Sequence, residues 1–321
     1  MILLVTPAPP DGPHGNGVTA RRWAGILRDL GHEVVVAQDY RAGRYGALIA
    51  LHARKSASAV RRFHASHPDA PVVIALTGTD LYPDLLSAGV EPAVLAMASA
   101  FILLQPLGLS QLEPALRERA RVVIQSVPRI PRLPARDDCF EVAFLVHARA
   151  VKDPSVLAAA VQRLPASSKV RVTHVGAAED GTLAARLAAE SASNPRYAWL
   201  GPCPREEALR LLARSRLMAL TSRHEGGANV ISEALAAGVP IISSRIPGSI
   251  GLLGEDYPGY FPAGDADALA ERLSAAEQDS DGYYHTLRER CAALRWLVDP
   301  RREKDAFAAL IADLRLRAHR E

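Results

Sequence analysis

The chain has 321 residues, of which 49% are hydrophobic and 23% charged, and a net charge of +3. It is too long for one average domain and rich enough in apolar side chains for two cores. The small charge argues against bulk nucleic-acid binding, and no apolar run reaches the roughly 20 residues that span a bilayer.

Ile2 to Thr6 is a short apolar run followed by the loop PAPPDGPHGNG. The opening MILLVTPAPP lacks the basic start of a secretory leader and reads as a buried strand. From Val18 to Leu30 the residues Val18, Trp23, Ile26, Leu27 and Leu30 share one face at helical spacing, and Gly31 ends that helix. Strands are predicted at Glu33–Ala37, Ala47–Leu51, Val72–Leu76, Phe101–Leu104 and Arg121–Ile124, with a basic helix over Arg54–His67. The proline-rich stretch Val127–Asp138 breaks the rhythm and reads as a linker.

The alternation then restarts. Strands are expected at Val142–Val146, Val170–Val175, Tyr197–Leu200, Leu217–Thr221 and Pro240–Ser243. Helices are expected near Pro154–Arg163, Ala178–Ser191 and Arg205–Ala213, and from Ala228; the tail from Ala266 is helical with a break at Asp299–Pro300. Continuous apolar strands between helices predict parallel sheets covered on both faces. The fold class is therefore α/β, as two tandem doubly wound domains, with ligands expected beyond the carboxyl ends of the strands.

Cys139, Cys203 and Cys291 are scattered, with no metal-like spacing, so a reducing cytoplasm is expected and no metal site is predicted. Candidate chemistry gathers at strand ends. In RHEGGANVISEALAAG, Arg223 to Gly238, the pair Gly226–Gly227 lets backbone approach a ligand, and a helix start there favours a phosphate. Glu225 and Glu233 are placed to accept from sugar and ribose hydroxyls, or simply to stabilise the helix start and face solvent. Arg149 and Lys152 follow the strand Val142–Val146, as anion-binding groups or as surface cations.

In the first domain, His52, Arg54 and Lys55 suit a small anionic acceptor. Thr79 and Asp80 either join them or cap a following helix. His14, Asn16 and Gly17 lie in the first strand–helix loop. There Gly15-x-Gly17-x-x-Ala20, with Asp39 after the second strand, also matches a dinucleotide fingerprint, although the loop is too long and too proline-rich for that turn.

Glu225-x7-Glu233, with glycine after the first Glu and EALAAGVP around the second, resembles the donor-site signature of retaining glycosyltransferases of family 4. That resemblance implies the GT-B fold: two Rossmann-like domains with an interdomain cleft. Residues 1–130 would be the acceptor domain, residues 139–300 the UDP-sugar donor domain, and residues 301–321 a helix packing back on the first. It also implies that Glu225 contacts the transferred sugar and Glu233 the ribose. Backbone around Gly226, Gly227, Ala228, Asn229 and Val230, faced by Gly17, would hold the diphosphate. Arg149 and Lys152 would neutralise the departing nucleoside diphosphate, although only two residues separate them, fewer than the family usually has. His14 and Asn16 would lie near the acceptor.

Several stretches are shared more narrowly: LHARKS, LTGTDLY, LQPL, VKDP, NPRY, HEGGANV and IPGSIGLLGEDYPGYFP. Together they resemble the selenosugar synthase (SenB) family of selenoneine biosynthesis. The resemblance implies transfer of a sugar from UDP-N-acetylglucosamine or UDP-glucose to selenophosphate, forming a C–Se bond. No cofactor or metal is expected, since GT-B enzymes generally do without one; the weak apolar face of the Arg54–His67 helix argues against a membrane partner, and the small charge against nucleic acid. His52, Arg54, Lys55, Thr79 and Asp80 would bind the acceptor. Selenium is a strong, soft nucleophile, so the protein's task would be orientation and leaving-group stabilisation rather than proton abstraction. The alternatives are a family 4 transferase with a hydroxyl acceptor and an NAD-dependent or nucleotide-binding Rossmann protein.

Overall fold

The computed structural model describes the whole chain except Asp11, Pro13, His14 and residues 315–321. It divides into two compact units. One comprises Met1–Ser126, Glu225–Gly227 and the chain from Pro300; the other comprises Val127–His224 and Ala228–Asp299.

The first unit runs β1 (Ile2–Val5), α1 (Gly15–Asp29), β2 (Val34–Ala37), β3 (Ala47–Leu51), α2 (Ala57–Ser66), β4 (Val72–Leu76), α3 (Pro92–Ala96), β5 (Ala100–Leu103), α4 (Pro114–Arg117) and β6 (Ala120–Val122). Its sheet is parallel, in the order β2-β1-β3-β4-β5-β6. Side chains alternate between two cores, as a period of two requires. Leu3, Leu48 and Val72, in register, bury on one face; Leu4, Ile49, Val73 and Ala100 bury on the other.

Two helix starts differ from the pattern in the sequence. The first helix begins at Gly15, so Asn16 and Gly17 lie in its opening turn rather than in a loop. Gly17 is needed there, because a Cβ would come within 2.6 Å of the Pro9 carbonyl oxygen. The second helix begins at Ala57 instead of Arg54: residues 53–56 are turns, with the Ala53 and Lys55 amides bonded to the Asp80 and His52 side chains, and His52 itself is left-handed (φ 69°).

The second unit runs β7 (Phe140–Leu145), α5 (Pro154–Gln162), β8 (Val170–Val175), α6 (Gly181–Ser193), β9 (Tyr197–Trp199), α7 (Arg205–Arg214), β10 (Leu217–Leu220), α8 (Asn229–Ala237), β11 (Ile241–Ser244), α9 (Pro247–Leu253), β12 (Tyr260–Phe261), α10 (Ala266–Gln278) and α11 (Tyr283–Leu294). Its sheet is also parallel, in the order β12-β11-β10-β7-β8-β9. The proline-rich stretch is docked on this unit. Val127, Ile130 and Leu133 donate backbone hydrogen bonds to Val298, Ala236 and Ala213.

The last helix, α12 (Pro300–Asp313), packs within the first unit. Phe307 meets Trp23 edge to face at 5.1 Å, and Arg121 pairs with Asp313. Among the described residues no helix is long and apolar enough to cross a membrane, and no three His, Cys, Asp or Glu side chains cluster as metal ligands.

Candidate functional site

In doubly wound sheets the ligand crevice opens where successive connections leave in opposite directions. In the second unit that point lies between β7 and β10, since β7 leads to β8 on one side and β10 to β11 on the other. The loops leaving these two strands are bonded together. Thr221 Oγ1 donates to the Lys152 carbonyl at 2.8 Å, and the Arg223 amide to the Val151 carbonyl at 2.8 Å. Arg223 also grips the buried Asp153 carboxylate through Nε and Nη2, at 2.8 and 2.6 Å. Asp153 holds a left-handed backbone (φ 44°) that ends the single 3-10 turn carrying Lys152. The short spacing from Arg149 to Lys152 is thus the length of that one turn.

Arg149 precedes the turn and is half-buried; its buried Nε makes no hydrogen bond. Its side chain lines a cavity of about 350 Å³ between α5 and α6, together with Asp153, Ser155, Gln162, Arg186 and Glu190.

Helix α8 opens beside β10. A helix leaves its first amides without intrahelical acceptors, and the N-cap here, Ala228, has no side chain to supply one. No acidic residue occupies the first turn either. Such an end favours an anion through its amides and dipole. Val230 to Ala237 are all buried, and Gly238 closes the helix in the left-handed region (φ 65°), where glycine is unstrained.

Glu233 is not a solvated helix residue. Its side chain is 8% exposed, and Oε1 lies 2.6 Å from Arg205 Nη1. Sequence reasoning missed Arg205, Arg223 and Asp153. No local signal marked Arg205, because Glu206 and Glu207 in the same first turn already suit the helix dipole.

Glu225, Gly226 and Gly227 group with the first unit. A Cβ on Gly226 would fall 2.5 Å from the Thr77 carbonyl oxygen, and one on Gly227 would fall 2.6 Å from Leu104 Cβ. Close backbone packing is therefore a sufficient reason for this glycine pair.

The first unit's own crevice lies by the same rule between β1 and β3. The ends of the adjacent strands β3 and β4 bring His52, Arg54, Lys55, Thr79 and Asp80 into one cluster. No helix follows Asp80, so neither it nor Thr79 is a helix cap; the chain continues as turns to α3. Asp80 is fully buried instead, and its carboxylate accepts from the amides of Ala53 (2.8 Å), Thr77 (2.9 Å) and Gly78 (2.8 Å). It fastens one loop to the other from beneath.

His52 is also buried, and its Nε2 lies 3.0 Å from Thr79 Oγ1. Burial pushes the imidazole pKa below its usual value; Lys55 and Arg54 act in the same direction and Asp80 against them. Asn16 is half-buried at the start of α1, while His14 lies outside the described residues. Asp39, the acid of the dinucleotide reading, pairs with Arg62 at 3.1 Å, and Gly15 to Ala20 are helix rather than a tight turn.

Residues 130–293, just over half of the chain, match the family described as glycosyl transferases group 1. The chain belongs to that family. Among solved structures it is similar to HepE of Anabaena in complex with UDP and glucose, at 16% identity and a TM-score of 0.77 over 97% of this chain and 99% of that one. Sucrose-phosphate synthase from Thermosynechococcus elongatus matches at 14% identity and 0.78 over 98% of each chain. A glycosyltransferase from Rickettsia africae matches at 13% and 0.74, again over 98% of each. At these identities the likeness shows the fold, which is GT-B. No curated protein sequence matches the chain. Membership of the group 1 family sets the dinucleotide reading aside.

Proposed function

We propose that this group 1 glycosyltransferase is a family 4 type selenosugar synthase of the SenB class, acting in selenoneine biosynthesis. It transfers a hexosyl group from UDP-N-acetylglucosamine or UDP-glucose to selenophosphate. The observation that carries the donor assignment is the start of α8: a helix end with no side-chain cap, beside the β7–β10 crevice, with the enclosed Glu233 carboxylate one turn on. The diphosphate suits those amides and the ribose diol suits Glu233. The likeness to HepE, whose structure was also solved with UDP-glucose, supports a UDP-sugar donor.

In this reading Glu225 contacts the transferred sugar. Arg149 and Lys152 stabilise charge growing on the β-phosphate as the C–O bond to UDP breaks. The selenium of selenophosphate attacks the anomeric carbon, the C–Se bond forms, and UDP leaves with the electron pair of the broken bond. The acceptor assignment rests on the shared stretches LHARKS and LTGTDLY, whose His52, Arg54, Lys55, Thr79 and Asp80 form one cluster at adjacent strand ends.

The test is incubation with enzymatically generated selenophosphate and a panel of UDP-sugars, followed by mass spectrometry. The expected product is a hexose carrying selenium, with UDP released in equal amount. Glycosylation of an alcohol acceptor with no selenium product would leave a family 4 transferase and remove the narrower assignment.

A further inference from the structure

We infer that the first unit carries a subsite for a tetrahedral oxyanion of the phosphate class, in which His52 turns the Thr79 hydroxyl outward beside Arg54 and Lys55. Its link to the proposed acceptor rests on the function above; the geometry of the subsite does not.

The hydroxyl's direction follows from the hydrogen bonds around the ring. The Lys55 amide lies 3.4 Å from His52 Nδ1 and can only donate, so Nδ1 accepts. The one carboxylate near Nδ1, Asp80 Oδ2, stands 3.7 Å away and already accepts from Ala53. The ring proton therefore sits on Nε2 and is donated to Thr79 Oγ1 at 3.0 Å. With its oxygen accepting from below, the Thr79 hydroxyl keeps its own proton for a partner above. Thr79 is only half-buried, so the residue keeps contact with solvent.

Two further features show that the arrangement is held in place rather than incidental. His52 keeps a left-handed backbone (φ 69°), a conformation that costs free energy in a non-glycine residue and persists only where its surroundings enforce it. The enforcement is visible: Asp80 ties Ala53 to Thr77 and Gly78, and Ser56 Oγ donates to the Leu51 carbonyl at 2.6 Å. The charges are of the matching sign. Arg54 and Lys55 are exposed, and neither pairs with a carboxylate among the described residues. Arg54 lies along Gly89, 3.3 Å from where a Cβ would stand. A neutral donor with two unpaired cations on the adjoining loop accepts an oxyanion and offers nothing to a cation.

The experiment uses the full chain and measures binding of inorganic phosphate and, separately, of UDP by calorimetry. Thr79→Val should weaken phosphate binding about tenfold, the scale of one hydrogen bond to a charged group. Thr79→Ser should restore most of it, and His52→Asn, which tolerates the left-handed backbone, should weaken phosphate binding in the same direction. Lys55→Gln should weaken phosphate binding and flatten its salt dependence. UDP affinity should stay at the wild-type value in all four variants. Unchanged phosphate affinity in Thr79→Val overturns the inference, as does Thr79→Ser failing alongside it with loss of UDP binding. Should Thr79→Val not fold, the exposed Lys55→Gln decides: unchanged phosphate affinity there overturns the subsite. Phosphate binding without UDP binding in the wild type would sink the proposed function and leave the subsite standing. UDP binding without phosphate binding would do the reverse.

Discussion

The Glu303 carboxylate accepts the Trp23 indole N–H at 2.7 Å, joining the final helix to the first across 280 residues of chain. The same carboxylate takes Arg22 Nε at 2.9 Å, the Ser126 amide at 2.9 Å and the Ser126 hydroxyl at 2.5 Å, and the residue is 1% exposed. A buried carboxylate is tolerable only when its oxygens are satisfied and its charge is matched, and here both conditions hold. Removing it leaves the buried Trp23 indole N–H and the Ser126 amide without their acceptor. Glu303→Ala should therefore cost about 3–5 kcal/mol in urea unfolding.

A second expectation concerns pH. His174 is buried; its Nε2–H donates to the Val146 carbonyl at 3.0 Å, and Nδ1 accepts from the Tyr197 hydroxyl at 2.7 Å. The neutral ring is thus fully bonded, and burial pushes its pKa down from the usual 6.5 to about 4. Because the folded pKa is depressed, the unfolded chain binds a proton that the folded chain refuses. The contribution to stability is complete above pH 6.5 and is lost as pH falls toward 4, by up to roughly 3 kcal/mol. Unfolding free energies measured across that window should slope downward with falling pH. The slope should flatten in His174→Asn, and an equal slope in that variant would assign the loss to other groups.

Glu233 and Arg205 carry a third. If Glu233 binds the ribose diol, Glu233→Ala should weaken UDP binding about 10- to 100-fold, the range for lost hydrogen bonds to a charged acceptor. Arg205→Ala keeps the carboxylate but frees it to move, so the loss should have the same sign and be smaller. Calorimetry with UDP checks both. Greater loss in Arg205→Ala than in Glu233→Ala would make the arginine the ligand and the glutamate its support.

Arg149 gives the fourth. A cation that answers charge on a leaving group acts most strongly as that charge develops. Arg149→Ala should lower kcat by about 10- to 100-fold while shifting UDP affinity far less. Steady-state kinetics beside UDP titration separates the two effects, and equal losses in both would make Arg149 a ground-state binding residue.

Much of this was legible in the chain. Apolar runs such as Leu3–Val5, Ala47–Leu51 and Val72–Leu76 needed both faces covered, so parallel sheets followed from local composition. The α8 helix was marked at both ends, by the glycines before it and by Gly238 after it. Local signals misled where backbone was held by distant groups. Arg54 begins no helix, since the chain turns through residues 53–56 with the Ala53 and Lys55 amides bonded to the Asp80 and His52 side chains, and no helix follows Asp80, whose carboxylate takes three amides instead.

The sequence by itself determined the two α/β layers and the strand ends where chemistry gathers, because both depend on short-range periodicity and on the direction of parallel strands. Only the tertiary structure decided which charges are buried and against what. Glu303 sits in the tail read only as helical, yet it lies at the centre of a hydrogen-bond network. Glu233 reads as a free carboxylate, yet Arg205 holds it. His52 reads as a residue for a small anionic acceptor, yet it is buried with its Nε2 against the Thr79 hydroxyl. Such pairings join residues far apart in sequence, and the cost of burying a charge without its partner is what selects them.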